Sequence, residues 1–248
     1  MTTLVGMKYD GGIILASDLA MTRSFTEDYG DFTIRRRIII PTRKIHVSED
    51  GNLALAATGR VGDDPFQDPL HDILKPTDLD MNGRISKGDF PEFRDLHVYK
   101  RWDREVADND NTSILLLASR YKDNQGLYVV SPLGKISPVN GYGIKAKGSG
   151  QEHAERFLSG ALEAKIQSGA FLSVKHFMDQ LTSYEALQLA RGAVEAGATD
   201  PHTRYWDAVL VDNKGILDVG EFYRQKSAES EENIMEGLKG RLASHEKD

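Results

Sequence analysis

The stretch that decides the fold is residues 2–22, TTLVGMKYDGGIILASDLAMT. Residues 3–9 alternate in the manner of a strand, and the Asp-Gly-Gly at 10–12 is a hairpin signal. The apolar run at 13–16 is too short for a helix and predicts a second strand, which ends at Asp18. We therefore expect two antiparallel strands, joined by a tight turn, to open the molecule.

Three more pairs of apolar segments flank turn residues further along the chain. Each pair predicts a hairpin, because short apolar runs bounded by Gly, Asp and Asn are typical of strands. The pairs are residues 44–47 with 52–57, 113–118 with 126–130, and 208–211 with 216–219. The polar stretch 23–42 predicts an extended loop or hairpin, and its basic cluster at 35–37 is expected in a solvated loop.

The spacing of apolar residues becomes helical after the Gly-Ser-Gly turn at 148–150, where a further strand is expected to end. Apolar residues at 154–162 share one helical face, and those at 174–184 follow Ser173, an expected N-cap. A charged helical tail is expected from about residue 221 and is interpreted as a partly frayed surface helix. Three of its apolar residues recur at helical spacing: Ile234, Leu238 and Leu242.

The order of these elements bounds the fold class. Antiparallel hairpins with helices segregated from them predict an α+β fold. The chain of 248 residues is long enough to bury a substantial core. It shows no internal repeat and no linker rich in Pro, Gly or Ser, so we expect a single domain over residues 1–248.

Composition excludes several classes of function. The formal net charge of −7, without a basic stripe, argues against nucleic acid as a partner. The lack of cysteine excludes disulfides, thiolate catalysis and Cys-based zinc sites. No apolar run reaches the roughly 18 residues of a membrane helix, and no secretory signal is visible. The sequence thus predicts a soluble, cytoplasmic protein that needs no membrane.

The threonine at position 2 can act as a nucleophile if it becomes the first residue of the chain. A threonine hydroxyl inside a chain has no nearby group to take its proton. An N-terminal threonine carries its own base, because its free α-amine titrates at about pH 7.7–8.0 and reaches its own hydroxyl. Methionine before a small residue is readily removed in cells, so Met1-Thr2 predicts a nucleophile without a propeptide.

The opening stretch and the later landmarks, in the same order, resemble proteasome β-type subunits and the related bacterial HslV peptidase. The resemblance implies a four-layer αββα sandwich of antiparallel sheets, the N-terminal nucleophile hydrolase fold. It further implies a threonine peptidase acting on peptide or protein substrates within a homo-oligomeric ring. Companion ring subunits or an ATPase could join that ring, and no catalytic cofactor is implied.

The same resemblance implies the site residues. Thr2 would be the nucleophile, and its freed amine the base. Lys44 in TRKIHV would favour the neutral amine, and Gly59 in AATGRVGD would offer its backbone N–H to the oxyanion. The other polar members of the catalytic set would be Asp18, Ser149, Asp200 and Thr203. The residues expected to bind the substrate are Met21, Thr22, Ala57 and Val61.

Three departures from the family pattern keep an alternative open. Ala20 stands where the family usually has arginine, and Arg204 stands where glycine is expected. The gap between Asp18 and Lys44 is also longer than is usual. A non-catalytic structural subunit of a proteasome-like ring is therefore one alternative. A calcium-responsive binding protein on the same scaffold is another.

The calcium alternative comes from residues 78–89, DLDMNGRISKGD, which fit the loop of an EF-hand. Acidic and amide side chains fall at the ligand positions, and Gly83 falls at the sharp turn. The predicted ligands are Asp78, Asp80, Asn82, Arg84 through its carbonyl, Ser86 and Asp89. We expect one structural Ca²⁺ there with no part in peptide chemistry, although an Asp/Asn/Gly-rich turn between two helices also fits.

Overall fold

The computed structural model of the chain describes residues 2–30, 33–47, 51–58, 114–121, 124–130, 136–139, 141–169, 171–198, 206–226 and 230–247. In these segments the fold is α+β and its sheets are antiparallel, as the hairpin pattern predicts.

The strands are β1 Leu4–Tyr9, β2 Gly12–Asp18, β3 Ala20–Asp28, β4 Thr33–Pro41, β5 Ile45–Val47, β6 Leu53–Thr58, β7 Ile114–Tyr121, β8 Asn124–Val130, β9 Ile136–Pro138, β10 Ile144–Lys147, β11 Trp206–Asp212 and β12 Gly215–Asp218. The helices are α1 Gln151–Gln167, α2 Val174–Met178, α3 Ser183–Gly197, α4 Val219–Gln225 and α5 Glu231–Lys247.

Two five-stranded sheets form the body of the described structure. Sheet I has the order β10-β1-β2-β11-β12, and sheet II has the order β5-β6-β7-β8-β9. The hairpin of β3 and β4 forms a separate two-stranded sheet. The opening hairpin is confirmed, with Tyr9 paired to Gly12 and Leu4 to Ser17, so β2 lies at the centre of sheet I.

Sheet I is buried on both faces, and every residue of β2 is buried. One face packs against sheet II, where Leu4 and Leu15 meet Leu116 in one apolar cluster. The other face carries Val5 and Ile14 into a second cluster with the helices. Full burial of one such side chain stabilises the fold by about 1.5–3 kcal/mol. Burial on both faces explains why β2 reads as a continuous apolar run and not as an alternating one.

Helices α1, α3 and α4 contact sheet I and supply the layer over its outer face, and α5 packs against α3 and α4. Helix α3 places a row of small residues against the sheet, which lets the helix approach closely: Ala186, Ala190 and Ala193. Its start is fixed by a capping box, in which the Thr182 hydroxyl accepts the Glu185 N–H and the Glu185 carboxylate accepts the Thr182 N–H.

One predicted helix is in fact two. The Ser173 N-cap is confirmed, since its hydroxyl accepts the His176 N–H at 3.1 Å. The helix that it starts, α2, ends at Met178, and the capping box at Thr182 then begins α3. The single helix expected over 174–184 is therefore wrong, because the capping box starts a new helix within that range.

The tail and the basic cluster also differ from expectation. Three tail residues are nearly inaccessible: Ile234, Leu238 and Leu242. Leu238 and Leu242 belong to the apolar cluster between sheet I and the helices. Helix α5 is thus a packed helix and not a frayed one, because it packs against α3 and α4. The backbone of 35–37 lies in β4, paired with residues 24–26 of β3, and not in a loop. The pairing shows that residues 23–42 form the hairpin alternative.

Candidate active site

Thr2 lies just before β1, beside the Gly-Ser-Gly turn that leads from β10 into α1. The Thr2 backbone N–H donates to the Ser149 hydroxyl at 2.9 Å, and the Thr2 carbonyl accepts the Gly150 N–H at 3.1 Å. Because β10 pairs with β1 along residues 144–147, the sheet itself carries this turn to the start of the chain. Both sides of Thr2 are thereby held in place.

Asp18 ends β2 and is fully buried. Its Oδ1 accepts the Thr3 N–H at 2.5 Å, and its Oδ2 accepts the Ala20 N–H at 2.9 Å. Its own N–H donates to the Thr3 carbonyl at 3.2 Å. A buried carboxylate needs such donors, because removal from water without hydrogen bonds is costly. These hydrogen bonds fix the Asp18 carboxylate against Thr3, the residue that follows Thr2.

Lys44 precedes β5 and completes the cluster. Its Nζ donates to Thr2 Oγ1 at 3.3 Å and to Asp18 Oδ2 at 2.5 Å. The Lys44 side chain is only 10% exposed. Burial lowers the pKa of Lys44 below its ordinary value of 10.5, while the charge of Asp18 and its hydrogen bond oppose that shift. The Lys44 ammonium is thus largely removed from water and lies within hydrogen-bond distance of the Thr2 hydroxyl.

Close packing around Thr3 fixes the relation of three segments. A Cβ atom at Gly150 would lie 2.1 Å from Thr3 Oγ1, and one at Gly197 would lie 2.4 Å from the same atom. Only glycine fits at either position, so the turn before α1 and the end of α3 can both touch the start of β1. This contact keeps Ser149 beside Thr2.

The structure therefore brings together four residues that the resemblance names: Thr2, Asp18, Lys44 and Ser149. Met21 and Thr22 lie in β3. Half-buried Ala57 in β6 donates its N–H to the Lys44 carbonyl at 3.0 Å, so it borders the cluster. The remaining predicted positions lie outside the described residues: Gly59, Val61, Asp200, Thr203, Asp78, Asp80, Asn82, Arg84, Ser86 and Asp89.

Next to Lys44 lies an ion cluster that sequence reasoning missed. Arg43 Nε is 3.1 Å from Asp207 Oδ2, and Arg43 Nη2 is 2.5 Å from Asp218 Oδ2. Asp207 is fully buried in β11. One signal was available in the sequence, because an aspartate next to the apolar run at 208–211 predicts a buried carboxylate that needs a cation.

Comparison with known proteins adds no family. No protein-family model matches the chain, and no curated protein matches it. Among the helices that the structure describes, none is long and apolar enough to cross a membrane. Within the same residues, no group of three or more His, Asp or Glu side chains could hold a metal ion. The case for a function therefore depends on the geometry around Thr2.

Proposed function

We propose that this chain is a threonine-type endopeptidase whose nucleophile is Thr2 after removal of Met1. One observation carries the proposal: the Lys44 ammonium lies 3.3 Å from the Thr2 hydroxyl oxygen and 2.5 Å from the buried Asp18 carboxylate. A threonine without a chemical role does not require a buried ammonium and a buried carboxylate beside its hydroxyl. Hydrolysis of an amide needs a nucleophile with a cation and a proton acceptor beside it.

The proton acceptor would be the α-amine of Thr2. In the intact chain the Thr2 nitrogen is an amide that donates to Ser149 Oγ at 2.9 Å. Hydrolysis of the bond between residues 1 and 2 turns that nitrogen into an amine in the same place. Ser149 can then orient the amine or relay its proton. The positive charge of Lys44 favours the neutral form of the amine, which is the form that accepts a proton.

The chemical steps balance with these groups. Thr2 Oγ1 attacks the carbonyl carbon of the substrate, and its proton passes to the amine. Lys44 stabilises the oxygen as it loses the proton. The C–N bond of the substrate breaks, the leaving amine takes the proton, and an ester forms on Thr2. Water then attacks the carbonyl carbon of the ester and gives a proton to the α-amine of Thr2. The C–O bond of the ester breaks, the α-amine returns that proton to Thr2 Oγ1, and the carboxylic acid is released.

The finer fold and the assembly belong to the same proposal. Two packed sheets and helices over sheet I support three layers of an αββα sandwich. The fourth layer and the structural Ca²⁺ at 78–89 are expectations from the resemblance and from the EF-hand motif, because the residues between β6 and β7 lie outside the described part of the chain. The resemblance further supports a ring, homo-oligomeric or with companion subunits, that acts on peptides in the cytoplasm.

Two measurements test the proposal. Mass spectrometry of the purified chain is expected to show loss of Met1. Turnover of a fluorogenic peptide is expected to fall by about 10³-fold or more in Thr2→Ala, because loss of a nucleophile removes the covalent route. Thr2→Ser, which keeps a hydroxyl, is expected to retain measurable turnover. Equal turnover in wild type and Thr2→Ala would overturn the proposal, and retained Met1 without turnover would support the non-catalytic ring subunit.

A further inference from the structure

Two backbone hydrogen bonds to other described residues hold the segment 42–44 that carries Lys44. The Thr42 N–H donates to the Leu19 carbonyl at 2.6 Å, and the Lys44 carbonyl accepts the Ala57 N–H at 3.0 Å. Strand β5 has three residues and starts at Ile45, so Lys44 itself precedes the ladder. A flexible lysine side chain on such a segment needs a further constraint to keep its ammonium on one hydroxyl.

Arg43 supplies that constraint through two carboxylates of sheet I. Asp207 lies opposite Ser17 in the pairing of β11 with β2, one position from the pair of Asp18 and Trp206. The Asp218 Oδ1 also accepts the Glu221 N–H at 2.7 Å, which fixes this carboxylate at the start of α4. The planar guanidinium reaches both carboxylates at once through two of its nitrogens, whose relative positions are fixed by the rigid fork.

We infer that Arg43, held by Asp207 and Asp218, is a positioning residue that fixes the Lys44 ammonium between Thr2 and Asp18. The guanidinium contacts sheet I, whereas Lys44 leads into sheet II. The clamp therefore joins the two sheets at the point where the candidate site is built. Arg43 acts only through the placement of its neighbour and takes no part in proton transfer.

The effect on turnover rests on the proposed function, and Arg43→Gln measures it. We expect kcat to fall by about 10-fold or more while KM stays within about 2-fold, since the loss is one of alignment and not of substrate contact. Arg43→Lys is expected to restore only part of the rate. Arg156→Gln is the matched control, because it removes an exposed ion pair with Glu152 on α1 and should keep the wild-type rate.

A second readout needs no turnover. With ¹³C-labelled lysine, NMR titration of Lys44 in wild type is expected to give a pKa below 10.5, because burial dominates its shift. In Arg43→Gln the released side chain gains water, so the pKa of Lys44 should rise toward 10.5, whereas Arg156→Gln should leave it unchanged. An unchanged titration of Lys44 in folded Arg43→Gln would overturn the clamp. Absence of turnover in wild type, with the titration shifted, would overturn the proposed function alone.

Asp218→Asn covers the case in which Arg43→Gln does not fold. Asparagine keeps the Oδ1 that accepts the Glu221 N–H and removes the charge that faces Arg43. The shift of the Lys44 titration is expected in the same direction and with a smaller size, because Asp207 still holds the guanidinium. A folded Asp218→Asn with the wild-type titration would contradict the role of Asp218 in the clamp.

Discussion

Asp18 and Asp212 stand at opposite ends of the paired strands β2 and β11. In the register, Asp18 lies opposite Trp206 and Asp212 lies opposite Gly12. Each ends its strand, and each accepts two backbone N–H groups close in the fold: Asp212 Oδ1 accepts those of Lys214 and Gly215. In the local pattern of the sequence, apart from any resemblance, both are aspartates that end an apolar strand.

Their second neighbours make the difference. Asp18 is fully buried, and its Oδ2 accepts both the Ala20 N–H and a hydrogen bond from the Lys44 ammonium, which also reaches the Thr2 hydroxyl. Asp212 Oδ2 lies 2.8 Å from His245 Nε2 at the partly exposed end of α5. A strand-ending aspartate is therefore a common structural device. A nucleophile and a desolvated cation beside it are what indicate a site.

The largest difference between the two aspartates is expected when the charge of Asp18 or of Asp212 is removed. Asp18→Asn should lower peptide turnover by about 10²-fold or more, because Lys44 loses the carboxylate that holds its charge and position. Asp212→Asn should stay within about 2-fold of wild type. Steady-state kinetics on both variants, with folding checked by circular dichroism, measure the contrast. Similar losses at the two positions would remove the distinction between site and turn.

An effect of intermediate size is expected in the pH dependence of peptide turnover. Turnover should rise as the Thr2 amine loses its proton, at a pH below the value of about 7.7–8.0 for an ordinary α-amine, because the charge of Lys44 favours the neutral amine. At higher pH it should fall again, because Lys44 loses its positive charge as the pH rises through its pKa. Since that pKa is lowered from 10.5, the alkaline fall should begin before pH 10.5 is reached. In Lys44→Arg the side chain keeps its positive charge through the alkaline range, so the alkaline fall should disappear, at a lower maximal rate.

Lys214→Arg is the matched control for this profile. Its side chain donates to the His245 carbonyl at the other end of sheet I. The control is expected to keep both limbs of the wild-type profile. An alkaline limb that survives unchanged in Lys44→Arg would show that Lys44 does not set it.

The smallest effect is expected at the Asp212 end. His245 is partly exposed, and its contact with Asp212 has the distance of an ion pair without the alignment of a good hydrogen bond. His245→Ala should therefore lower the free energy of unfolding by only about 0.2–1 kcal/mol. Leu238→Ala, in the buried stripe of the same helix, should lower it by about 2–5 kcal/mol. Chemical denaturation compares the two, and equal losses would contradict the packed core of α5.

Local signals in the sequence predicted much of the fold. The turn at 10–12, the short apolar runs and the Ser173 cap are properties of neighbouring residues, and each lies where expected. The Thr182–Glu185 capping box is an equally local signal, and it marks the start of α3. The burial of α5 was not readable from its charged composition, because it depends on the surface that receives the helix.

The candidate site divides in the same way. The local pattern predicts a strand that ends at Asp18 and another that begins near Lys44, whereas the place of both residues in a site is implied only by the resemblance. The clamp on Arg43 could not be read locally, since its carboxylates lie 164 and 175 residues away along the chain. Contacts over such separations exist only when both sheets are assembled, and no short motif encodes them.

The contact between Thr2 and Ser149 also has a meaning for the newly made chain. These residues are separated by 147 positions, and they meet only when β10 joins the edge of sheet I. A polypeptide that has not yet reached that strand holds a threonine without the group that orients its nitrogen. The proposed peptidase activity would therefore require the completed tertiary structure, and an incompletely synthesised chain would not cleave nearby proteins.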